Sequence, residues 1–278
     1  MPDKLLFNYY NKISERILPF LSHRKVALAQ YFDHARVYRR HAGYKKEWIY
    51  IENKEELMHW AGMHTWGFFP HIRGDQDLWF VMDIDSRKVP LELCKIVVHY
   101  MAEVLEELRI KYLLKFSGKN GFHFLWKFTK TTGKKENCNI VGENNKISIE
   151  ARKLDIWIFE RNIISYLQRE VEKRLQQSKE KDLFYRYIPK KDPITERNAI
   201  DSEAQKSILI DELILKNKAT IRAPFSLHFS SKLVSIPFNI KYLDKFNPKK
   251  NADPQKVMKE KVKFEIPNNK IELFKFAI

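Results

Sequence analysis

The chain has 278 residues, 44% of them hydrophobic, enough to bury a core in one large domain or two small ones. Its 51 lysines and arginines against 35 acids give a net charge of +16, which favours a polyanionic partner, nucleic acid foremost, although solubility or an anionic membrane surface would also account for it. Cys94 and Cys138 are the only cysteines, which excludes a disulfide scaffold and a four-cysteine zinc knuckle and suits a reducing cytosol; no apolar run reaches transmembrane length, and residues 1–16 lack a signal-peptide core.

Leu5, Leu6, Tyr9, Ile13, Ile17 and Leu18 recur at helical spacing and predict an amphipathic helix within residues 4–22. A cluster of rings and basic groups follows: Tyr31, Phe32, His34, Arg36, Tyr38, Arg39, Arg40, His41, Tyr44, Lys45 and Lys46. It reads as cations for phosphates interleaved with rings for the bases of a single strand, with Arg36, Arg39, Arg40 and Tyr44 as candidate contacts. It reads equally as a helix with a buried aromatic stripe and a solvated basic face. Residues 48–51 predict a short strand and 55–63 a helix, broken by Gly67-Phe68-Phe69-Pro70; His71 and Arg73 then precede a Gly74-Asp75 turn.

Leu78-Trp79-Phe80-Val81-Met82-Asp83-Ile84-Asp85 is an apolar run ending in acid-x-acid, the pattern of a buried strand that surfaces at its C-terminal end. Side chains alternate along a strand, so Asp83 and Asp85 share one face and Ile84 takes the other. Neighbouring carboxylates repel, and a divalent cation with a preference for oxygen ligands relieves the repulsion. Two solvated acids at a strand end are the plainer alternative.

From Pro90, Leu93, Val97, Met101, Val104 and Leu108 mark one helical face, and Cys94 falls on the same stripe as a core residue. Residues 112–116 predict a strand, so the unit 78–116 predicts a parallel strand–helix–strand crossover. In Ser117-Gly118-Lys119-Asn120-Gly121-Phe122-His123 the glycines permit a tight turn whose N–H groups can face an anion, with Ser117 and Lys119 adding a hydroxyl and a cation. His123 falls on a strand between Phe122 and Phe124, as a phosphate ligand or a structural hydrogen-bonder. Residues 129–147 read as an exposed loop, 156–175 as an amphipathic helix and 176–207 as mostly irregular. Arg186, Lys190 and Lys191 there suit either a nucleic-acid strand or a solvated linker. Ile208-Leu209-Ile210-Asp211 is a second apolar run ending in an acid. Arg222 and His228 follow it, the donors that a metal-bound triphosphate requires. Residues 233–237 predict a strand and 241–263 a lysine-rich stretch with a helix from Pro254. The apolar residues 271–278 either dock on the body or lead into a longer parent protein.

Taken in order, these stretches resemble the archaeo-eukaryotic primase superfamily, the family of the primase small catalytic subunit and of primase-polymerases. The resemblance rests on Val81-Met82-Asp83-Ile84-Asp85, on Ser117 through His123, on Ile208-Leu209-Ile210-Asp211 and on the Arg222-Ala223-Pro224-Phe225-Ser226-Leu227-His228 turn. Leu243-Asp244-Lys245-Phe246-Asn247-Pro248 also looks like the segment that follows in archaeal small subunits. It spans residues 79–248; residues 1–45 match none of its motifs. The resemblance implies an α/β (mixed α+β) fold, with a central mixed sheet carrying three aspartates between flanking helices. It divides the chain into an N-terminal part (1–75), a catalytic core (76–248) and a lysine-rich helix with an apolar tail (249–278).

The implied activity is that of a DNA primase or primase-polymerase, a template-dependent nucleotidyltransferase. Asp83, Asp85 and Asp211 would be catalytic and hold two divalent cations, Mg²⁺ or Mn²⁺. Ser117, Lys119, His123, Arg222 and His228 would bind the incoming NTP or dNTP. The implied partners are a single-stranded DNA template and primer, with a further domain or accessory subunit, in the cytoplasm and away from membranes. Many relatives carry Arg-Arg where this chain has Lys119-Asn120. Cys138 is the only cysteine between the second and third motifs, so no structural zinc is expected. These departures favour a stand-alone domain of the plasmid, phage or CRISPR-associated kind. The competing functions are a gap-filling polymerase of the kind joined to bacterial DNA ligases, a non-catalytic nucleic-acid-binding module and a metal phosphohydrolase. The last leaves the Arg222–His228 turn unexplained.

Overall fold

A computed structural model describes residues 4–32, 35–43, 47–74, 77–129, 139–142, 145–148, 156–187, 207–211 and 219–269. The amphipathic opening forms α1 (Lys4–Ile17), with Leu6, Tyr9, Tyr10, Ile13 and Ile17 buried. The basic-aromatic cluster is not helical. It lies in β1 (Val26–Phe32) and β2 (Ala35–Arg39), an antiparallel pair running from Leu28 opposite Arg39 to Phe32 opposite Ala35. Short strands β3 (His41–Ala42) and β4 (Glu47–Trp48) pair next, so only the first residue of the expected 48–51 strand lies in one. α2 (Lys54–Gly62) is capped by Asn53, whose side chain accepts from the Glu56 N–H.

Gly67-Phe68-Phe69-Pro70, read from sequence as a break, lies in β5 (Thr65–Pro70), which joins β1 and β2 in a sheet of order β2-β1-β5. Gly67 faces Ala29 where the β1–β5 register shifts, and a Cβ on it would come within 2.8 Å of an Arg222 guanidinium nitrogen. The glycine gives room to a side chain from another part of the chain, so it is not a terminator.

The acidic strand is β6 (Asp77–Arg87). It is followed by α3 (Leu91–Glu107), β7 (Leu113–Phe116) and β8 (Gly121–Thr129). β6 and β7 run parallel, as the crossover rule predicts, but β8 is inserted between them and is antiparallel to both. β9 (Asn139–Gly142) and β10 (Asn145–Ser148) form a hairpin within the stretch expected to be loop. α4 (Ile156–Gln177) matches its prediction. α5 (Lys181–Tyr187) is a helix inside the stretch expected to be irregular; Arg186 belongs to it, while Lys190 and Lys191 lie outside the described residues, as do Tyr44, Cys138 and the apolar 271–278 segment.

β11 (Ser207–Asp211) completes a four-stranded sheet of order β11-β6-β8-β7 whose neighbouring strands are all antiparallel. Residues 233–237 form no strand; they make single bridges, Val234 with Leu227 and Pro237 with Lys115. A 3₁₀ turn (Ile240–Tyr242), α6 (Pro248–Asn251) and α7 (Pro254–Lys259) follow, and α7 packs against α1. α3 lies against β6, where the Cys94 thiol points to the Ile84 carbonyl, so this cysteine is a core residue.

Candidate active site

Cross-strand neighbours in an antiparallel sheet point to the same face. In the four-stranded sheet Lys115 of β7 is opposite His123 of β8, His123 is opposite Asp83 of β6, and Asp83 is opposite Asp211 of β11. One transverse line of residues therefore crosses the sheet as Lys115–His123–Asp83–Asp211. Asp85 stands two residues further along β6 on that face, opposite Gly121 and Leu209. The next row, Phe116–Phe122–Ile84–Ile210, is apolar and faces the other way into the core. Alternation thus gives the sheet one chemical face and one packing face.

The Nε2 of His123 lies 3.1 Å from Asp83 Oδ1, and its Nδ1 is 2.6 Å from the Lys115 ammonium nitrogen. Lys115 also donates to Ser235 Oγ at 2.8 Å, and that hydroxyl donates to the Phe116 carbonyl at 3.0 Å. Lys115 is fully buried. Burial drives its pKa well below the ordinary lysine value, with Asp83 opposing and Arg222 adding to the shift. Burial, reinforced by Lys115, likewise drives His123 well below its ordinary range, against the pull of Asp85. A donating Lys115 leaves the ring proton of His123 on Nε2, facing Asp83. Lys115 escaped the sequence reading, although a lysine in the otherwise apolar Leu113-Leu114-Lys115-Phe116 run was a signal for it.

The turn after β7 is shaped by its glycines. Gly118 has φ +97°, and a Cβ there would lie 3.1 Å from the His228 Cβ. Ser117 Oγ accepts from the N–H groups of Lys119 (3.3 Å) and Gly121 (3.1 Å), which organises the turn and leaves its hydroxyl proton to donate. The Ser231 hydroxyl donates to the Gly118 carbonyl, joining this turn to the loop that carries His228.

Arg222 passes under Gly67, places its guanidinium 4.5 Å from the Phe69 ring centre and donates to the Leu227 carbonyl. Burial lowers its pKa to about 10. The turn between Arg222 and His228 is held from α1. The Tyr9 hydroxyl donates to the Phe225 carbonyl at 2.7 Å, and Tyr10 accepts from the Leu227 N–H at 3.1 Å. Phe225 has φ +67°, unfavourable for a side-chain-bearing residue, so these bonds help to hold a strained turn. The N-terminal helix, which carried none of the recognised motifs, is therefore part of the scaffold of the site.

Burial, with the charges of Arg222, Lys119 and Arg36, lowers the His228 pKa to about 4 from an ordinary 6.5. Arg36 also opposes Arg222. Arg36, one of the candidate template contacts, is exposed on β2 with its guanidinium 4.2 Å from the Tyr38 ring centre. Arg39 lies 6.0 Å from the Trp60 ring centre instead, and Arg40 is exposed on the sheet edge with its carbonyl accepting from Ile49. His228 has a stability consequence. As pH falls through 6.5 the unfolded chain takes up a proton that the folded histidine refuses until about pH 4. The melting temperature is expected to drop across that window and to be insensitive to this group above it. His228→Gln, followed by thermal melts at intervals of pH, should flatten the drop.

Among the described residues no group of three His, Cys, Asp or Glu side chains forms a metal site; for Asp211 only the backbone is described. The donor chemistry nevertheless fits divalent cations. Asp83 and Asp85 share a face, and the register carries a third acid into line with Asp83. No helix among the described residues is long and apolar enough to cross a membrane.

The α/β domain thus carries a four-stranded antiparallel sheet bearing paired aspartates next to a basic turn, and the sequence comparison gives it a family. The chain belongs to the family described as "LigD, primase-polymerase domain", whose profile matches residues 4–146. The family thus includes the N-terminal segment, which the motifs had left out. Asp211, Arg222 and His228 lie beyond the matched stretch. The fold is also that of the polymerase domain of Mycobacterium tuberculosis Ligase D, solved in complex with DNA. The two share 14% identity and a TM-score of 0.61, over 91% of this chain and 86% of the other. That domain belongs to the archaeo-eukaryotic primase superfamily, so the resemblance in the motifs holds. A comparison with curated proteins finds no match.

Proposed function

We propose that the chain is a template-dependent nucleotidyltransferase that extends the 3′ end of a DNA-paired strand with NTPs or dNTPs. The observation that supports it best is the row Lys115–His123–Asp83–Asp211 with Asp85 beside it, on a sheet whose β7–β8 turn packs at Gly118 against His228. In the reaction a bond forms between the 3′-oxygen and the α-phosphorus while the bond to pyrophosphate breaks. Asp83, Asp85 and Asp211 would hold two divalent cations, Mg²⁺ or Mn²⁺, which when bound acidify the attacking hydroxyl and neutralise the leaving pyrophosphate.

The chain's own groups do the rest. His123, fixed by Lys115, orients the Asp83 carboxylate. Arg222 supplies a planar fork of donors for phosphate oxygens. His228, neutral at pH 7, contributes a hydrogen bond rather than a charge. Lys119 and the Ser117 hydroxyl close the phosphate side, and the exposed Arg36 extends it towards the template. Such catalysis consists mainly of positioning and charge neutralisation.

Family membership favours the repair-type reading, in which a pre-existing 3′ end is extended across a gap, over primer synthesis on bare single strands. The test is incubation with Mg²⁺ or Mn²⁺ and labelled NTPs or dNTPs on three substrates: a primed template, a gapped duplex with a downstream 5′ phosphate, and a primer-free single strand. Extension is expected on the first two. Products on the primer-free strand would establish priming as well, and incorporation on none of them would refute the proposal.

A further inference from the structure

Lys115 lies in β7 between Leu114 and Phe116 with no exposed surface, and Ser235, in the segment that follows the Arg222–His228 turn, is equally buried. The two meet because residues 235–237 run beside β7, the outermost strand of the four-stranded sheet. Pro237 bridges Lys115, and the Phe116 N–H donates to the Ile236 carbonyl at 2.9 Å. A methionine or leucine would fill the Lys115 position without taking an amino group out of water, a step that is costly unless the group is bonded. What sets the lysine apart is where its bonds lead.

One bond leads to the acids: Lys115 Nζ is 2.6 Å from His123 Nδ1, and His123 Nε2 is 3.1 Å from Asp83 Oδ1. The other leads to Ser235 Oγ at 2.8 Å. The Ser235 hydroxyl proton is committed to the Phe116 carbonyl at 3.0 Å, so towards Lys115 this oxygen acts as an acceptor. The backbone of Ser235 carries the connection onward. Its N–H donates to the Ser226 carbonyl at 2.8 Å, and its carbonyl accepts from the Phe225 N–H at 2.7 Å. Phe225 and Ser226 lie in the middle of the Arg222–His228 turn, and the Ser226 hydroxyl accepts from the Phe68 N–H of β5 at 2.8 Å. Gly118 lies at the same joint, where a Cβ would come within 3.5 Å of the Ser235 nitrogen and 3.1 Å of the His228 Cβ. A chain of hydrogen bonds, Asp83–His123–Lys115–Ser235–Ser226, therefore joins the acid row to the Arg222–His228 turn through the interior.

We propose that Lys115 and Ser235 act as one positioning device, a buried strut that fixes the Asp83 carboxylate, through His123, relative to the turn carrying Arg222 and His228. The proposal rests on the nucleotidyltransferase reading, because the strut holds a metal-binding acid and the triphosphate donors at a set separation. Neither residue touches substrate; each acts through groups that do. Loss of a hydrogen-bonding partner behind a metal-binding carboxylate costs about 10–100-fold in metal affinity or activity. A displacement of about 1 Å in such a site costs about a hundredfold in rate.

Lys115→Met, Ser235→Ala and the double substitution are compared with the parent and with Asp83→Ala by thermal melts, by calorimetric titration with Mn²⁺ alone, and by primer extension at varied nucleotide concentration. Exchanging a buried polar pair for apolar side chains should leave the double variant melting cooperatively within about 5 °C of the parent. Mn²⁺ binding should weaken about tenfold in Lys115→Met and stay near the parental value in Ser235→Ala, because the lysine is the member that reaches Asp83 through His123. Ser235→Ala should raise the nucleotide KM about tenfold, while Lys115→Met should raise it equally and also lower kcat about a hundredfold. The double variant should match Lys115→Met, since losses along one chain of bonds do not multiply. The single variants carry the same test if the double does not fold. A stable variant set with parental Mn²⁺ affinity and kinetics would show a packing role and overturn the proposal, as would losses that multiply in the double. If Asp83→Ala also bound Mn²⁺ and extended primers like the parent, the nucleotidyltransferase reading would fail with it. A defect confined to Asp83→Ala would overturn the strut and leave that reading standing.

Discussion

Asp83→Ala is expected to reduce nucleotide incorporation by about a thousandfold or more with either Mg²⁺ or Mn²⁺. The residue is central to the chemical face: it is flanked by His123 and Asp211 across the strands and by Asp85 two residues along. Its removal takes the acceptor from beside the His123 Nε2 in the buried Lys115–His123 pair, so stability should fall by about 1–3 kcal/mol while the fold survives. The melting temperature should fall by about 2–4 °C for each kcal/mol lost, with unfolding still cooperative. Asp83→Asn separates the two functions of the side chain. It keeps a hydrogen-bonding group beside the His123 Nε2 and loses the charge, and it should be nearly as inactive as the alanine variant. Substantial synthesis by either variant, measured by primer extension, would remove Asp83 from the mechanism.

Gly121→Ala is the smallest change with a comparably large expected effect. A Cβ on Gly121 would sit 2.4 Å from Asp85 Oδ1 and 2.4 Å from the Ile84 carbonyl oxygen. The carboxylate could swing away, but the carbonyl belongs to the β6 backbone in the ladder that sets Asp85 opposite Gly121. Either the Asp85 carboxylate is displaced or the two central strands separate locally. The stability cost should be about 1–3 kcal/mol, as for other overpacked sites. Because a misplacement of about 1 Å can cost about a hundredfold in rate, incorporation should fall by at least that factor. Denaturant melts and primer extension on the same preparation check both numbers. Wild-type activity in a stably folded Gly121→Ala protein would show that the Asp85 position is not critical.

Several features were legible in the sequence because they are local. Asp83 and Asp85 share a face because strand side chains alternate, and that is visible in eleven residues of β6. The α1, α3 and α4 helices announce themselves through one apolar stripe each, and Cys94 is in the core because it lies on such a stripe. The same reasoning failed where pairing rather than periodicity decides. Arg36 and Tyr38 lie on an outer strand because β1 supplies a buried partner, and Gly67 is a strand residue making room for Arg222 from more than 150 positions away. Residues 233–237 look like a strand by composition but find only single bridging partners.

The candidate groups of the site, namely the acid pair, the glycine turn, the later acid and the Arg–His segment, are each legible within a local window of the chain. The tertiary structure decided their arrangement. Lys115, His123, Asp83 and Asp211 come from four strands, and only the register between those strands puts them in one row. Tyr9 and Tyr10 hold a turn 216 or more residues away in the chain, through hydrogen bonds that no local window contains. The reason is physical. A side chain's facing follows from the dihedral repeat of its own segment, whereas its neighbours follow from which segments bury their apolar faces together.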